Sequence, residues 1–197
     1  MKASIECLPC IADQALRAAR VATDDPELQQ RIIARTMATA ADANLDNSPA
    51  WISMPAYTAA QELTGNPDPY RALKRAQNEM ALALEDELCA MVREDNDPLE
   101  AALHLAAAGN VIDLGVNRTE DIDIRATIEQ VMHERFAVDH TEAFRESLAG
   151  CGDLLYLLDN AGEIVFDKIL IEELLKHTAV TAVVKKGPIL NDVLLED

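Results

Sequence analysis

Two short apolar runs joined by a helical segment decide the fold of this chain. Residues 153–158 read DLLYLL and are followed at once by the polar turn DNAGE, residues 159–163. Residues 179–184 read AVTAVV, and a helix is predicted between the runs, over residues 164–176. A strand, a helix and a strand within about 32 residues form a βαβ unit, with parallel strands and a right-handed crossover. We expect both strands to be buried on both faces.

Polar residues follow each predicted strand. Asp159 and Asn160 come after the first strand, and Asn191 and Asp192 lie in the loop after the second. Ligands of open parallel sheets bind at the carboxyl ends of the strands, so these side chains are expected at one edge. Carboxylate and carboxamide oxygens are hard ligands that suit Mg²⁺ or Mn²⁺. The alternative is that Asp159 or Asn160 only caps the helix that follows.

The start of that helix is also a candidate anion site. The backbone amides of Ala161, Gly162 and Glu163 are expected to be free there and to receive a phosphate. Lys185 or Lys186, just after the second strand, could add positive charge or simply be solvated.

A second polar pair lies further upstream. Asn110 and Asp113 are set among apolar residues in GNVIDLG, residues 109–115. The plainer interpretation of this pair is a capped helix end with a buried hydrogen bond.

The residues before this pair have the composition of a helical region. Ala is abundant and Gly is nearly absent, and the breaks are made by Pro and polar pairs. One helix is predicted at 54–63, with Pro55 in its first turn, and one long amphipathic helix at 70–93. We therefore predict an α/β protein with an α-helical domain at 1–108 and an α/β domain at 109–197.

Composition limits the classes of function. The chain of 197 residues has 17 Lys and Arg against 35 Asp and Glu, a formal net charge of −18. This charge argues against nucleic acid and anionic membranes as partners. There is no apolar run of about 20 residues and no signal-peptide pattern, so a cytoplasmic protein is expected. The dinucleotide, P-loop and serine-hydrolase motifs are missing as well.

The four cysteines divide into a motif and two single residues. Cys7 and Cys10 form a CxxC, which can supply half of a zinc site or act as a dithiol. A closed zinc site needs two further ligands, and the four histidines show no paired spacing. Cys89 and Cys151 are expected to be small core residues.

Taken in order, these motifs resemble the metal-dependent damage-control phosphatases, a family formerly catalogued as domain of unknown function 89. The segments that carry the resemblance are CLPCIADQA (7–15), GNVIDLG (109–115), LLDNAGE (157–163) and GPILND (187–192). The CxxC form is similar to the archaeal and bacterial branch of the family, and Lys74 and Asn78 match the pattern of that branch.

The resemblance implies helices followed by a Rossmann-like parallel sheet, and a phosphatase of small phosphorylated metabolites. Sugar phosphates and phosphopantetheine-type compounds are the substrate classes it implies. It also implies a divalent metal held by Asp159, Asn160 and Asp192. The oxygen ligands suit Mn²⁺ or Mg²⁺, and they leave Co²⁺ or Ni²⁺ open as alternatives. Asn110 and Asp113 would line the same cleft. Family members continue past this point with further strands, so we expect the chain to correspond to an N-terminal portion.

The residue roles that follow are hypotheses. The candidate catalytic residues are Asp159, Asp113 and Asn110, and the candidate substrate-binding residues are Ala161, Gly162, Glu163, Lys185 and Asn191. Two other functions stay open at this point: a non-catalytic module that binds a metal or nucleotide, or an inactive fragment; and a zinc or redox protein that uses Cys7 and Cys10. A small phosphorylated metabolite is the expected partner, and the unfinished sheet edge favours a homodimer.

Overall fold

A computed structural model describes residues 1–111 and 124–197 of the chain. The helices in these residues are α1 (Cys7–Ala22), α2 (Pro26–Ala41), α3 (Pro49–Thr64), α4 (Arg71–Leu82), α5 (Glu85–Glu94), α6 (Pro98–Val111), α7 (Ile124–His133), α8 (Thr141–Ala149) and α9 (Glu163–Leu174). The strands are β1 (Asp153–Leu157) and β2 (Ala179–Val183). The predicted α/β class is confirmed, with helices in the majority and a small parallel sheet.

The chain divides into two compact units. The first comprises residues 1–72 with 188–190, and the second comprises the described residues of 73–187 with 191–197. The second unit thus contains α4 from residue 73 onward, α5 and α6 together with the sheet, and α6 packs along α9 in one apolar cluster. The predicted boundary between residues 108 and 109 does not coincide with this division and stays a prediction.

The first unit is a bundle of α1, α2 and α3. Its core is rich in alanine, with Ala15 and Ala19 of α1 packed in one cluster with Ile32 of α2 and Ala56 of α3. Such small side chains let helices approach closely. α3 is longer than predicted: it begins at Pro49 because the Ser48 hydroxyl accepts a hydrogen bond from a first-turn amide, so the expected start near residue 54 is wrong.

The predicted helix over residues 70–93 is two helices. A turn at residues 83–84 ends α4 and separates it from α5. The buried residues of α4 are Lys74, Gln77 and Ala81, whereas Met80 is exposed. The buried face of α4 is therefore largely polar, and the amphipathic pattern of the sequence does not predict it.

The sheet pairs β1 with β2 in parallel, with Asp153 opposite Ala179 and Leu157 opposite Val183. α9 forms the crossover, and its apolar side chains pack with the inward residues of the strands. Leu155 and Leu157 are 66% and 73% exposed, so the expectation of strands buried on both faces is wrong. One face of the pair is covered by α9, and the other is exposed in the described part of the chain.

None of the described helices is both long enough and apolar enough to cross a membrane.

Candidate functional site

The candidate site lies at the carboxyl ends of β1 and β2. After β2 the chain returns alongside the loop that follows β1. The Val193 amide donates to the Asp159 carbonyl at 2.8 Å, and the Ala161 amide donates to the Asn191 carbonyl at 2.8 Å. These hydrogen bonds form an antiparallel bridge between Asn160 and Asp192. The backbone thus brings together the two polar loops that the sequence placed at one edge.

A lysine lies between the two carboxylates of the site. Lys185 Nζ is 3.1 Å from Asp192 Oδ2 and 3.9 Å from Asp159 Oδ1. Burial raises the pKa of Asp192, an effect that the hydrogen bond from Lys185 opposes. That hydrogen bond raises the pKa of Lys185 in turn. The site therefore surrounds a position for positive charge with carboxylate oxygens.

The polar residues before α9 do not cap that helix. Its N-cap is Gly162, which has no side chain that could accept a hydrogen bond from the first-turn amides. The Asn160 amide Nδ2 instead donates to Asp159 Oδ2 at 3.1 Å and to Glu163 Oε2 at 3.3 Å. The interpretation of Asp159 or Asn160 as a simple helix cap is therefore wrong.

Asn110 joins the same group from α6. Its Nδ2 donates to Glu163 Oε1 at 3.2 Å. Asn110 is exposed, so the interpretation of a buried hydrogen bond at this position is wrong. Close packing of α6 on α9 makes this contact possible. The helices approach so closely at Gly109 that a Cβ atom added there would lie only 2.8 Å from Phe166 Cβ. Asp113, the other half of the predicted pair, lies outside the described residues.

The expectation of free amides at the start of α9 is wrong for two of the three. The Ala161 amide is taken by the Asn191 carbonyl, and the Gly162 amide donates to Asn78 Oδ1 at 2.7 Å. Gly162 has a φ of 80°, a left-handed conformation that a glycine adopts without strain. Glu163 contributes its side chain, which links Asn110 and Asn160.

Asn191 is buried beside this bridge. It is 3% exposed, and its Nδ2 has no hydrogen-bond partner among the described residues. A buried donor without a partner is costly, and a ligand with an oxygen acceptor would remove that cost.

A polar group on α4 supports the loops. Lys74 is fully buried, and its Nζ lies 2.6 Å from Asp197 Oδ2. The same oxygen accepts a hydrogen bond from the Leu194 amide at 2.9 Å. Asn78, one turn after Lys74, donates to the Asp197 carbonyl at 3.4 Å while it accepts from Gly162. The sequence signalled Lys74 and Asn78 only through the family resemblance, although polar residues four apart on a helix can share one face.

α9 also carries a buried acid that is not among the site residues predicted from the sequence. Asp167 is 5% exposed and accepts a hydrogen bond from the Tyr156 hydroxyl at 2.6 Å. Burial, with smaller contributions from Glu163 and Asp159, raises the pKa of Asp167 to about 6 against the Tyr156 hydrogen bond. The available signal was a single acid within the apolar run 164–170, one turn after Glu163.

The CxxC cysteines lie elsewhere in the fold. Cys7 and Cys10 are on the first turn of α1, in the first unit, and both are free thiols. In residues 1–111 and 124–197 no group of three or more His, Cys, Asp or Glu side chains is arranged to hold a metal ion. The predicted metal ligands Asp159, Asn160 and Asp192 do not form such a group, because only two of the three are carboxylates and the third is an amide.

Comparison with known proteins places the chain in a family. The chain is 36% identical over its whole length to an uncharacterized protein of Methanocaldococcus jannaschii, covering 66% of that protein. It is 32% identical to a damage-control phosphatase of Pyrococcus horikoshii, covering 68% of it. The crystal structure of a DUF89 family protein from Pyrococcus horikoshii matches the whole chain with a TM-score of 0.86 at 32% identity, over 69% of that structure. The chain thus spans about two thirds of the length of these relatives. The model of the damage-control phosphatase ARMT1-like domain matches residues 3–197, and the chain therefore belongs to that family.

Proposed function

We propose that this chain carries the metal-binding loops of a divalent-metal-dependent phosphatase that acts on small phosphorylated metabolites. Relatives named damage-control phosphatases support the phosphatase class. The observation that carries the proposal is the Lys185 ammonium, which lies between the carboxylates of Asp159 and Asp192. The same loops occupy the sheet edge at which α/β proteins bind ligands.

The proposed metal ligands are Asp159, Asn160 and Asp192. The two carboxylates already surround a positive charge, and Asn160, which pairs with Asp192 in the backbone bridge, carries a third hard oxygen in its side-chain amide. This donor set fits Mn²⁺ or Mg²⁺, and also Co²⁺ or Ni²⁺, with water completing the coordination. When bound, the metal would supply Lewis-acid stabilisation of the phosphoryl charge.

The groups around these loops suit a phosphate monoester. Lys185 can turn from the carboxylates to a phosphoryl oxygen, and the unpartnered Asn191 Nδ2 can donate to another. Asn110 and Glu163 border the same loop, where they would orient the substrate. Phosphoryl transfer is mostly positioning and electrostatic stabilisation, so these few groups are enough for a catalytic role. Sugar phosphates and phosphopantetheine-type compounds are the proposed substrates, and a catalytic role for Asp159 and Asp113 stays a prediction, as does a homodimer.

The test is phosphate release from a panel of phosphomonoesters in the presence of Mn²⁺, Mg²⁺, Co²⁺ or Ni²⁺. We expect metal-dependent release by the wild type and a loss of at least about 100-fold in Asp159→Asn and in Asp192→Asn. Asp153→Asn is the matched control, because Asp153 is an exposed acid at the other end of β1. Equal rates in all four proteins would contradict the assignment. Metal binding without release from any ester would favour the non-catalytic module.

A further inference from the structure

A pair of thiols at the start of α1 has no part in the proposed function. Cys7 is the first residue of α1, and Cys10 lies on the same turn. In an α-helix, residues three apart have Cα atoms about 5 Å apart, which lies within the roughly 4.4–6.8 Å found across disulfides. The backbone therefore already holds the two cysteines at a distance that a disulfide can bridge.

Hydrogen-bond donors face both sulfur atoms. The Ser4 backbone amide lies 3.5 Å from Cys7 Sγ, and Gln14 Nε2 lies 3.5 Å from Cys10 Sγ. The Gln14 amide is oriented by the buried Tyr57, whose hydroxyl donates to Gln14 Oε1 at 2.9 Å. Donors in these positions complement the negative charge that a sulfur carries when it attacks a disulfide.

The two thiols differ in accessibility. Cys10 is exposed, whereas Cys7 is partly buried and packs against a cluster that contains Ile11, Ala40 and Ile52. A small reagent therefore reaches Cys10 first. Cys7 is left as the neighbouring thiol that can attack a bond formed at Cys10.

The surroundings favour thiol chemistry over a zinc site. A closed zinc site needs four ligands, and the described residues place no third His, Cys, Asp or Glu with the pair. The other cysteines are less suited to react. Burial raises the pKa of Cys89, and the Cys151 thiol donates a hydrogen bond to the Asp153 carbonyl at 3.0 Å.

We propose that Cys7 and Cys10 form a dithiol–disulfide exchange site that takes small disulfides as its oxidants. The Cys10 thiolate attacks one sulfur of the small disulfide, which gives a mixed disulfide and releases one small thiol. The Cys7 thiolate then attacks the Cys10 sulfur, forms the Cys7–Cys10 bond and releases the second small thiol. Two cysteine thiols lose two electrons and two protons, and one small disulfide gains them. This site does not depend on the proposed phosphatase function.

The test uses the reduced full chain and glutathione disulfide as the probe. After acid quenching, free thiols are alkylated and tryptic peptides are weighed. Residues 3–17 form one tryptic peptide that contains both cysteines. We expect this peptide to lose both alkylation sites and two hydrogens, and to regain them with dithiothreitol. Cys89 and Cys151 should stay alkylated under the same conditions.

Single variants separate the two roles. Cys7→Ser should trap a stable glutathione adduct on Cys10, and Cys10→Ser should react roughly tenfold more slowly than the wild type. Cys151→Ser is the matched control and should form the disulfide as the wild type does. The proposal is overturned if Cys7 and Cys10 both stay alkylatable in the folded wild-type chain, or if bound zinc blocks both. Circular dichroism confirms that each variant is folded before the comparison.

Discussion

The starts of α2 and α9 use the same residue types in different ways. Asp25 precedes α2, and its carboxylate accepts hydrogen bonds from two first-turn amides at 2.8 and 3.4 Å. Asp159 and Asn160 precede α9, yet neither of them caps it, because the N-cap is Gly162, which has no capping side chain. One helix start is stabilised by its own aspartate, and the other leaves its polar side chains for another use.

The start of α9 is held by residues that lie far from it in the sequence. Asn78 accepts the hydrogen bond of the Gly162 amide, and the Asn191 carbonyl accepts that of the Ala161 amide. The carboxylates and amides of the loop are therefore not used for capping, and under the proposed function they are the groups that bind the metal. This difference separates an Asp that stabilises a helix from an Asp whose side chain is left for a ligand.

The largest expected effect concerns the buried acid near the start of α9. The folded-state pKa of Asp167, about 6, lies above the ordinary aspartate value of 3.8, so the folded protein holds this proton more tightly than the unfolded chain does. The favourable contribution of the protonated acid is fully present below pH 3.8 and is lost as the pH rises to about 6. Asp167→Asn should therefore gain stability relative to the wild type across this window, on the order of 3 kcal/mol above it.

Urea unfolding of wild type and Asp167→Asn from pH 4 to pH 8 measures this difference. A difference in the free energy of unfolding that does not change with pH would show that Asp167 is not buried as an acid.

The second effect on stability depends on the close packing of α6 against α9. Gly109→Ala should lower the free energy of unfolding by about 2 kcal/mol, because its Cβ would overlap the Cβ and Cγ of Phe166. Gly150→Ala is the matched control, since nothing lies within 4 Å of the Cβ it would add. Urea denaturation measures both variants, and equal changes would mean that α6 and α9 do not pack this closely.

The third effect on stability comes from removing the side chain of α4 that accepts a hydrogen bond from the start of α9. Asn78→Ala should cost about 1–2 kcal/mol, because the Gly162 amide loses its acceptor. Arg75→Ala, on the same helix, removes only an exposed ion pair to Glu79 and should cost less than about 0.5 kcal/mol. If Asn78→Ala is as mild as Arg75→Ala in urea unfolding, the start of α9 does not need the support of α4.

The sequence predicts the parts of this site that depend on local pattern. Two apolar runs and a turn predict the βαβ unit, and the rule for parallel sheets then brings Asp159 and Asp192 to one edge. The support from α4 depends on a buried face that is polar, with Lys74 and Gln77 where an apolar stripe would be expected. Periodicity of apolar residues cannot find such a face, because the polar side chains are buried only through contacts with distant parts of the chain.

Contacts with distant parts of the chain also explain two other features that the sequence does not predict. The local pattern alone favours the capping interpretation of Asp159, because Asp and Asn are common helix caps, and only the hydrogen bonds of Ala161 and Gly162 show that the cap is not used. The buried Asp167 follows from the packing of α9 on β1, where Tyr156 provides its hydrogen bond. Neither feature is encoded by spacing within a short segment.

The smallest effects on stability come from the two aspartates themselves. Asp25→Ala should lower the free energy of unfolding by about 1 kcal/mol, because α2 loses its cap. Asp159→Ala should change it by less than about 0.5 kcal/mol, because the side chain caps nothing and is more than half exposed. Thermal or urea unfolding of both variants compares them, and a larger loss in Asp159→Ala would reverse the assignment of the two roles.

The most direct test of the account is a calorimetric titration of Mn²⁺ into the wild type, Asp159→Ala and Asp25→Ala. The account predicts saturable binding in the wild type and in Asp25→Ala, and no binding in Asp159→Ala. Binding that is equal in all three proteins, or absent from the folded wild type, would contradict a metal site built on the loops at the carboxyl ends of β1 and β2.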